Sequence, residues 1–320
     1  MTICVSGSLA FDTIMQFEGR FADHILPDKV HMLNVSFFVP GMRREYGGCA
    51  GNIAYGIRLL GGDPRPLGTI GSDGLPYLDR FATLGINTCG IKVLPDTYTA
   101  QCFITTDQAN NQITAFHPGA MALSHQALLT DTADSTASLV LGIVAPDGKE
   151  GMVQHAQELA AHGIPFIWDP GQALPLFSGD ELLKIMEQAA YLTVNDYEGH
   201  LVEQKTSRSL LSLSHQLKGI VVTKGEEGAD ILQQGSINSV SAVPAAQIVD
   251  PTGCGDAFRA GLLQGLSLQR SLLASVQMGC VMGARKIASA GGQNYQITSE
   301  ELEESVTKYY GNKSEAALSL

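Results

Sequence analysis

Val249-Asp250-Pro251-Thr252-Gly253-Cys254-Gly255-Asp256-Ala257-Phe258-Arg259-Ala260-Gly261 is the stretch from which the rest of the chain is read. It follows the apolar residue Ile248, turns on two glycines, and enters a helical pattern carried by Ala257, Phe258, Gly261 and Leu262. Gly253 and Gly255 have no Cβ, so the backbone can turn tightly and approach a ligand. The first turn of the helix offers unpaired N–H groups and a positive dipole end, which suit a phosphate. Asp256 stands inside that anion site. A carboxylate there repels the anion unless it has a proton to collect, and an alcohol attacking a phosphoryl group supplies one. Aspartate is also a favoured helix cap. Local chemistry alone leaves cap and base both open.

Working outward, the 320 residues can bury a large core, and 44% hydrophobic content with 35 glycines suits an α/β protein rich in tight turns. A formal net charge of -12 argues against nucleic acid or an anionic membrane as partner. An anionic cosubstrate would then need local backbone donors and a metal ion. No run of 18 apolar residues occurs, and the start, Met1-Thr2-Ile3-Cys4-Val5, reads as a strand without the basic segment of a signal peptide. The six cysteines, Cys4, Cys49, Cys89, Cys102, Cys254 and Cys280, show no CxxC spacing. They are read as free thiols of a cytoplasmic protein, with Cys254 a small filler in the anion loop.

From residue 139 onward, strands and helices alternate. Strand patterns at 139–143, 166–168, 191–194 and 219–223 are separated by helical patterns at 150–161 and 180–190. This alternation predicts a doubly wound, mainly parallel sheet flanked by helices. Ile3-Cys4-Val5-Ser6-Gly7 is a buried first strand, and Ser8 and Asp12 follow it where open α/β sheets bind ligands. Residues 13–17 and 34–39 read as strands that interrupt the alternation. The runs 100–106 and 112–116 form a hairpin around Asn110-Asn111. Insertions at about 13–45 and 91–118 are therefore assigned to a small β-sheet lid on a single domain spanning 1–320. Phe103 and Phe116 are expected to face one another across the hairpin, around a flat base or as core packing. Gly47-Gly48 lets a substrate lie against bare backbone, and Asn52 can donate to and accept from a hydroxyl; a Gly-rich turn with a capping Asn reads equally well. Asn195-Asp196-Tyr197-Glu198 offers hard oxygen donors suited to Mg²⁺ and its waters, or a helix start. The small residues of 278–286 read as a helix against which a flat ring could lie, or as having no such role. No P-loop, Gly-x-Gly-x-x-Gly, Gly-x-Ser-x-Gly or His-Glu-x-x-His pattern is present.

Asp-x-Thr-Gly-x-Gly-Asp-x-Phe at 250–258 resembles the C-terminal signature of the ribokinase-like (PfkB) sugar and nucleoside kinases. Gly-Gly-x-x-x-Asn-x-Ala at 47–54 resembles their N-terminal signature. The resemblance implies that Asp256 is the base and that Gly253, Cys254 and Gly255 form the anion hole. Ser8, Asp12, Gly47, Gly48 and Asn52 would hold the acceptor. Asn195 and Glu198 would organise Mg²⁺ through water, and Asn195, Thr223, Gly225, Thr252, Gly253 and Gly255 would contact ATP. K⁺ is a further possible cofactor. Segments including Gly19-Arg20-Phe21, Val35-Ser36-Phe37, Pro118-Gly119-Ala120-Met121 and Gly292-Gln293 are similar to the bacterial adenosine-kinase branch. That branch implies stacking by Phe103 and Phe116, a nucleoside beside Ser36 and Gln172, and a homodimer through the lid. The expected activity is phosphoryl transfer from ATP to the 5′-hydroxyl of adenosine. The alternatives are a broader nucleoside or sugar kinase, and a non-catalytic nucleoside-binding protein.

Overall fold

A computed structural model describes residues 1–25, 31–32, 34–109, 111–131 and 138–311. In chain order the first half comprises β1 (Thr2–Ser6), β2 (Ala10–Gln16), β3 (Gly41–Gly47), α1 (Cys49–Leu59), β4 (Asp63–Gly71), α2 (Leu75–Leu84), β5 (Ile91–Leu94), β6 (Ala100–Thr106) and β7 (Gln112–His117). The second half comprises β8 (Leu139–Val144), α3 (Lys149–Ala161), β9 (Phe166–Trp168), α4 (Gly179–Met186), β10 (Tyr191–Asn195), α5 (Asp196–Thr206), α6 (Leu210–Leu213), β11 (Gly219–Thr223), β12 (Ala229–Gln233), β13 (Ser236–Val240), α7 (Cys254–Ser267), α8 (Leu272–Lys286) and α9 (Ser299–Tyr310).

Among the described residues, nine strands form the main sheet, in the order β13-β12-β11-β10-β9-β8-β1-β4-β5. All neighbours are parallel except at β12 and β13. Helices cover both faces, which is why β1 is buried along its whole length. Its side chains alternate: Ile3 and Val5 join a core with α1, α7 and α8, while Cys4 joins a second core with α3 and α4. From β1 the chain steps outward to β4 and β5, then returns to β8 and builds outward on the other side. Ligands of open α/β sheets bind at such a reversal, outside the carboxyl ends of the strands.

Four strands among the described residues form the lid sheet, in the order β3-β2-β6-β7. Its composition corrects two sequence expectations. Residues 34–39 do not pair as a strand; β2 pairs instead with β3. The ring of Phe37 packs 4.9 Å from both Phe17 and Phe21, so this ring is taken up by an aromatic cluster and not by a ladder, while Phe38 stays 83% exposed. Residues 91–94 belong to the main sheet, parallel to β4, and only β6 and β7 of the second insertion reach the lid. In the hairpin, Thr106 pairs with Gln112, and Asp107 closes the turn by accepting from the amides of Ala109 and Asn111. Asn110 and the tail beyond Gly311 lie outside the described residues.

A third correction concerns Phe103 and Phe116. Cys102 pairs with Phe116, and Phe103 with Ala115. Directly paired residues share a face, and neighbours along a strand alternate. The two rings therefore emerge from opposite faces of the lid. The row Glu45–Asp12–Cys102–Phe116 lies on one face, and Arg44–Thr13–Phe103–Ala115 on the other.

The small residues of α8 serve helix packing. A Cβ on Gly279 would lie 2.8 Å from the Phe258 carbonyl oxygen, so α7 and α8 touch backbone to backbone there. Among the described residues, no helix is long and apolar enough to cross a membrane.

Candidate active site

The anion loop enters α7 through Gly253, whose φ of 76° is left-handed. The first helical bond runs from the Ala257 amide to the Gly253 carbonyl, so Gly255 and Asp256 have no helical acceptor for their N–H groups. The Cys254 amide donates to the Pro251 carbonyl at 3.1 Å. This corrects the expectation that Cys254 supplies an anion-hole donor: the turn at 251–254 engages its N–H. Burial raises the Cys254 thiol, which suits a filler better than a nucleophile.

Asp256 forms the floor of this turn. Asn52, on α1, donates from Nδ2 to Asp256 Oδ2 at 2.9 Å. Gln293 reaches Asn52 Oδ1 at 3.3 Å and the Tyr77 hydroxyl at 2.8 Å, and Tyr77 donates to the Gly47 carbonyl at 2.6 Å. One network thus ties the carboxylate, the first glycine pair and the C-terminal Gly-Gln. Burial raises the Asp256 carboxyl above its usual range, while the Asn52 bond and nearby Arg259 oppose the shift. Asp256 does not cap the helix: Gly253 is the N-cap, and no side chain caps there.

On one side of this loop lies a cavity of about 720 Å³ lined by Asp169, Gln172, Asn195, Glu198, Thr223 and Gly225, together with Gly253, Gly255, Asp256 and Arg259. Asp169, Asn195 and Thr223 come from the carboxyl ends of β9, β10 and β11. Asn195 and Glu198 form a capping box: the Glu198 amide donates to Asn195 Oδ1 at 2.7 Å, and the Asn195 amide to Glu198 Oε2 at 2.8 Å. The structural reading of this pair is therefore present, and Glu198 keeps one carboxylate oxygen for other partners. Burial raises its pKa. Among the described residues, no group of three or more His, Cys, Asp or Glu is placed to hold a metal. Such a donor set fits an ion held mainly by phosphates and water, as Mg²⁺ often is.

Arg259 and Asp169 were not singled out for a role by the sequence. Arg259 lies one turn after Asp256 and forms a buried bidentate pair with Asp169, with Nη2 2.8 Å from Oδ1. Its Nη1 donates to the Gly255 carbonyl at 3.1 Å, which braces the anion loop. The available signals were a carboxylate at a strand end and an arginine at helical spacing from Asp256.

On the other side of the loop, a cavity of about 660 Å³ lies between the lid residues Ile14, Gln16, Ile104 and Thr106 and the segment Val249, Asp250, Pro251 and Thr252. Ile14 and Ile104 share the face of Asp12, Cys102 and Phe116, so this lid face looks toward the anion loop. Thr252, expected beside the nucleotide, lines this lid-side cavity, whereas Gln172, expected beside the nucleoside, lines the first one. Ser36 is exposed and lines neither.

Asp12 sits on β2, within the lid. Burial raises it to about 6, reinforced by Asp250, Glu45 and Asp256. A Cβ on Gly47 would lie 2.5 Å from Asp12 Oδ2. Gly48 has a φ of 86°, and its Cβ position lies 2.5 Å from the Ser8 carbonyl oxygen, so only glycine fits. Ser8 in turn accepts from the Cys49 amide at the start of α1, at 3.0 Å.

The pfkB family carbohydrate kinase profile matches residues 19–299, which include both glycine turns and every strand-end group of the first cavity. The chain belongs to the pfkB family of carbohydrate kinases. Within this family it is similar over nearly its whole length to solved structures of Burkholderia thailandensis nucleoside kinase. In the complex with inosine the identity is 48%, the TM-score 0.85, and the match covers 97% of this chain and 98% of the other. In the complex with ADP-inosine the identity is 50%, the TM-score 0.82, and the coverage 97% and 96%. A nucleoside kinase from Methanocaldococcus jannaschii is 30% identical over 72% of this chain and 75% of its own length. The expected ribokinase-like α/β fold, with a small lid sheet, is thus the fold of this family member.

Proposed function

We propose that this chain transfers the γ-phosphoryl group of Mg·ATP to the 5′-hydroxyl of a purine nucleoside, with adenosine among its acceptors. One observation carries the reading. The Asp256 carboxylate, held by Asn52, stands beside unpaired amides of a helix start, on a segment whose residues 249–252 line the lid-side cavity while Gly253, Gly255 and Asp256 line the other. In this reading ATP occupies the cavity lined by Thr223 and Gly225, and the nucleoside lies under the lid against Asp12, Gly48 and Asn52. Asp256 takes the proton as the hydroxyl attacks, and its raised pKa makes it a better acceptor than an ordinary aspartate. The amides of Gly253 and Gly255 meet the charge that develops on the transferred group. Mg²⁺ bound to the triphosphate supplies charge neutralisation, with Glu198 positioned to hold one of its waters. The chemistry of the donor set and the anion hole supports a kinase; the names of the similar nucleoside kinases support a nucleoside over a free sugar.

The outer lid face carries Met15, Met42, Phe103 and Ile113 in two adjacent rows, with Met42 70% and Ile113 43% exposed. This apolar surface supports a homodimer formed through the lid.

The test is ADP release with adenosine, inosine, guanosine, ribose and fructose as acceptors. Purine nucleosides should react and free sugars lag. Asp256→Asn should lower kcat by roughly 10²–10⁴ while nucleoside affinity is kept. Unchanged turnover in that variant would remove Asp256 from the mechanism.

A further inference from the structure

Lys286 ends α8 and is fully buried. Its Nζ donates to two main-chain carbonyls, Asp250 at 2.8 Å and Ser289 at 3.0 Å. It forms no ion pair among the described residues. Burying an ammonium costs several kcal/mol unless donors are matched and charge is offset, so an apolar side chain of similar length would be the cheaper filler. The carboxyl end of α8 offsets part of the cost. Both acceptors, however, lie beyond the helix, on the two loops that meet at the site.

Those loops are laced together around this ammonium and the Asp250 carboxylate, which it helps to hold ionised. The amides of Val249 and Asp250 donate to the Ile287 carbonyl at 2.9 and 3.1 Å. The Asp250 carboxylate accepts from Thr252 at 2.8 Å and from Gly291 at 2.8 Å. Two residues beyond Gly291, Gln293 joins the network that reaches Asp256 through Asn52. The ammonium therefore sits beneath the turn that aims the anion-hole amides. A compact cation coordinated by neutral carbonyl oxygens is the role that a free monovalent ion plays at a protein loop.

We propose that Lys286 is the built-in cation of this junction: a positioning residue that fixes the anion loop, so that turnover needs no added monovalent ion. The turnover arm of the test rests on the kinase reading above; the melting arm does not. ADP release by the wild type should change by less than about two-fold among KCl, NaCl and tetramethylammonium chloride at matched ionic strength. Lys286→Ala should lose roughly 10- to 100-fold in kcat, short of the loss on deleting an oxyanion donor outright. Its nucleoside KM should stay within about three-fold, because the acceptor contacts are untouched. Ammonium or K⁺, but not tetramethylammonium, should restore several-fold of that rate and raise the melting temperature of the variant more than that of the wild type. Lys286→Met, which fills the space with an apolar chain, should resist rescue. The proposal is overturned by a wild type that depends on K⁺, by a folded Lys286→Ala with unchanged kcat, or by a loss that no small cation repairs in rate or melting temperature. A wild type that releases no ADP in any salt would defeat the kinase reading alone, and the melting comparison would still decide the role of Lys286.

Discussion

Phe116 and Phe103 look interchangeable in sequence, yet the lid register gives them different work. Phe116 shares its face with Asp12 and Cys102, toward the anion loop, and is 51% exposed. Phe103 faces outward. A buried phenylalanine covers on the order of 200 Å², so closing a base over the open half of Phe116 removes about 100 Å² from water. At about 25 cal/mol per Å² this is ~2.5 kcal/mol, within the ~1–3 kcal/mol range for base stacking on aromatic side chains. Phe116→Ala should then raise the KM for a purine nucleoside by roughly 70-fold, with kcat nearly kept, since each ~1.4 kcal/mol is tenfold. Phe103→Ala should leave KM within about two-fold, as expected of a side chain on the far face. It should instead weaken self-association, read by light scattering across a dilution series. Initial rates of ADP release over an adenosine titration give both KM values. Equal KM losses in the two variants, or a larger one in Phe103→Ala, would refute the assignment of faces.

Two further predictions concern charge. Asp12 is raised to about 6 by burial and by Asp250, Glu45 and Asp256, and only its ionised form can accept two hydroxyl hydrogen bonds side by side. The acceptor KM should therefore rise as pH falls through about 6, and this limb should vanish in Asp12→Asn; a limb at the ordinary range of an exposed aspartate would count against the placement. Arg259→Met leaves Asp169 buried without its partner, which should cost about 3–5 kcal/mol in urea unfolding, with partial recovery on adding Asp169→Leu. A loss below about 1 kcal/mol would show that the pair is screened by solvent.

The strand–helix alternation after residue 139 was legible because buried parallel strands and amphipathic helices leave different periodicities. The two glycine turns were legible because a backbone that must touch a ligand tolerates few other residues. The lid was legible as strand-forming sequence and, at 100–106 and 112–116, as a hairpin, but the partner of β2 was not. Residues 34–39 have strand composition, yet Phe37 is drawn into a ring cluster with Phe17 and Phe21, a choice made by contacts distant in sequence. Asn195 and Glu198 read as metal ligands or as a helix start, and their mutual hydrogen bonds make the second reading a fact without removing Glu198 from the cavity.

Sequence by itself determined that an aspartate would follow a glycine turn at a helix start, in a mainly parallel α/β frame, because those features depend on residues adjacent in the chain. Tertiary structure alone decided which lid face meets that aspartate, and that Arg259 and Lys286 brace the loop from within. A one-residue change of register moves every side chain of a strand to its other face, and a buried charge is defined by carbonyls and carboxylates brought from far along the chain. Neither leaves a local mark in the order of the residues.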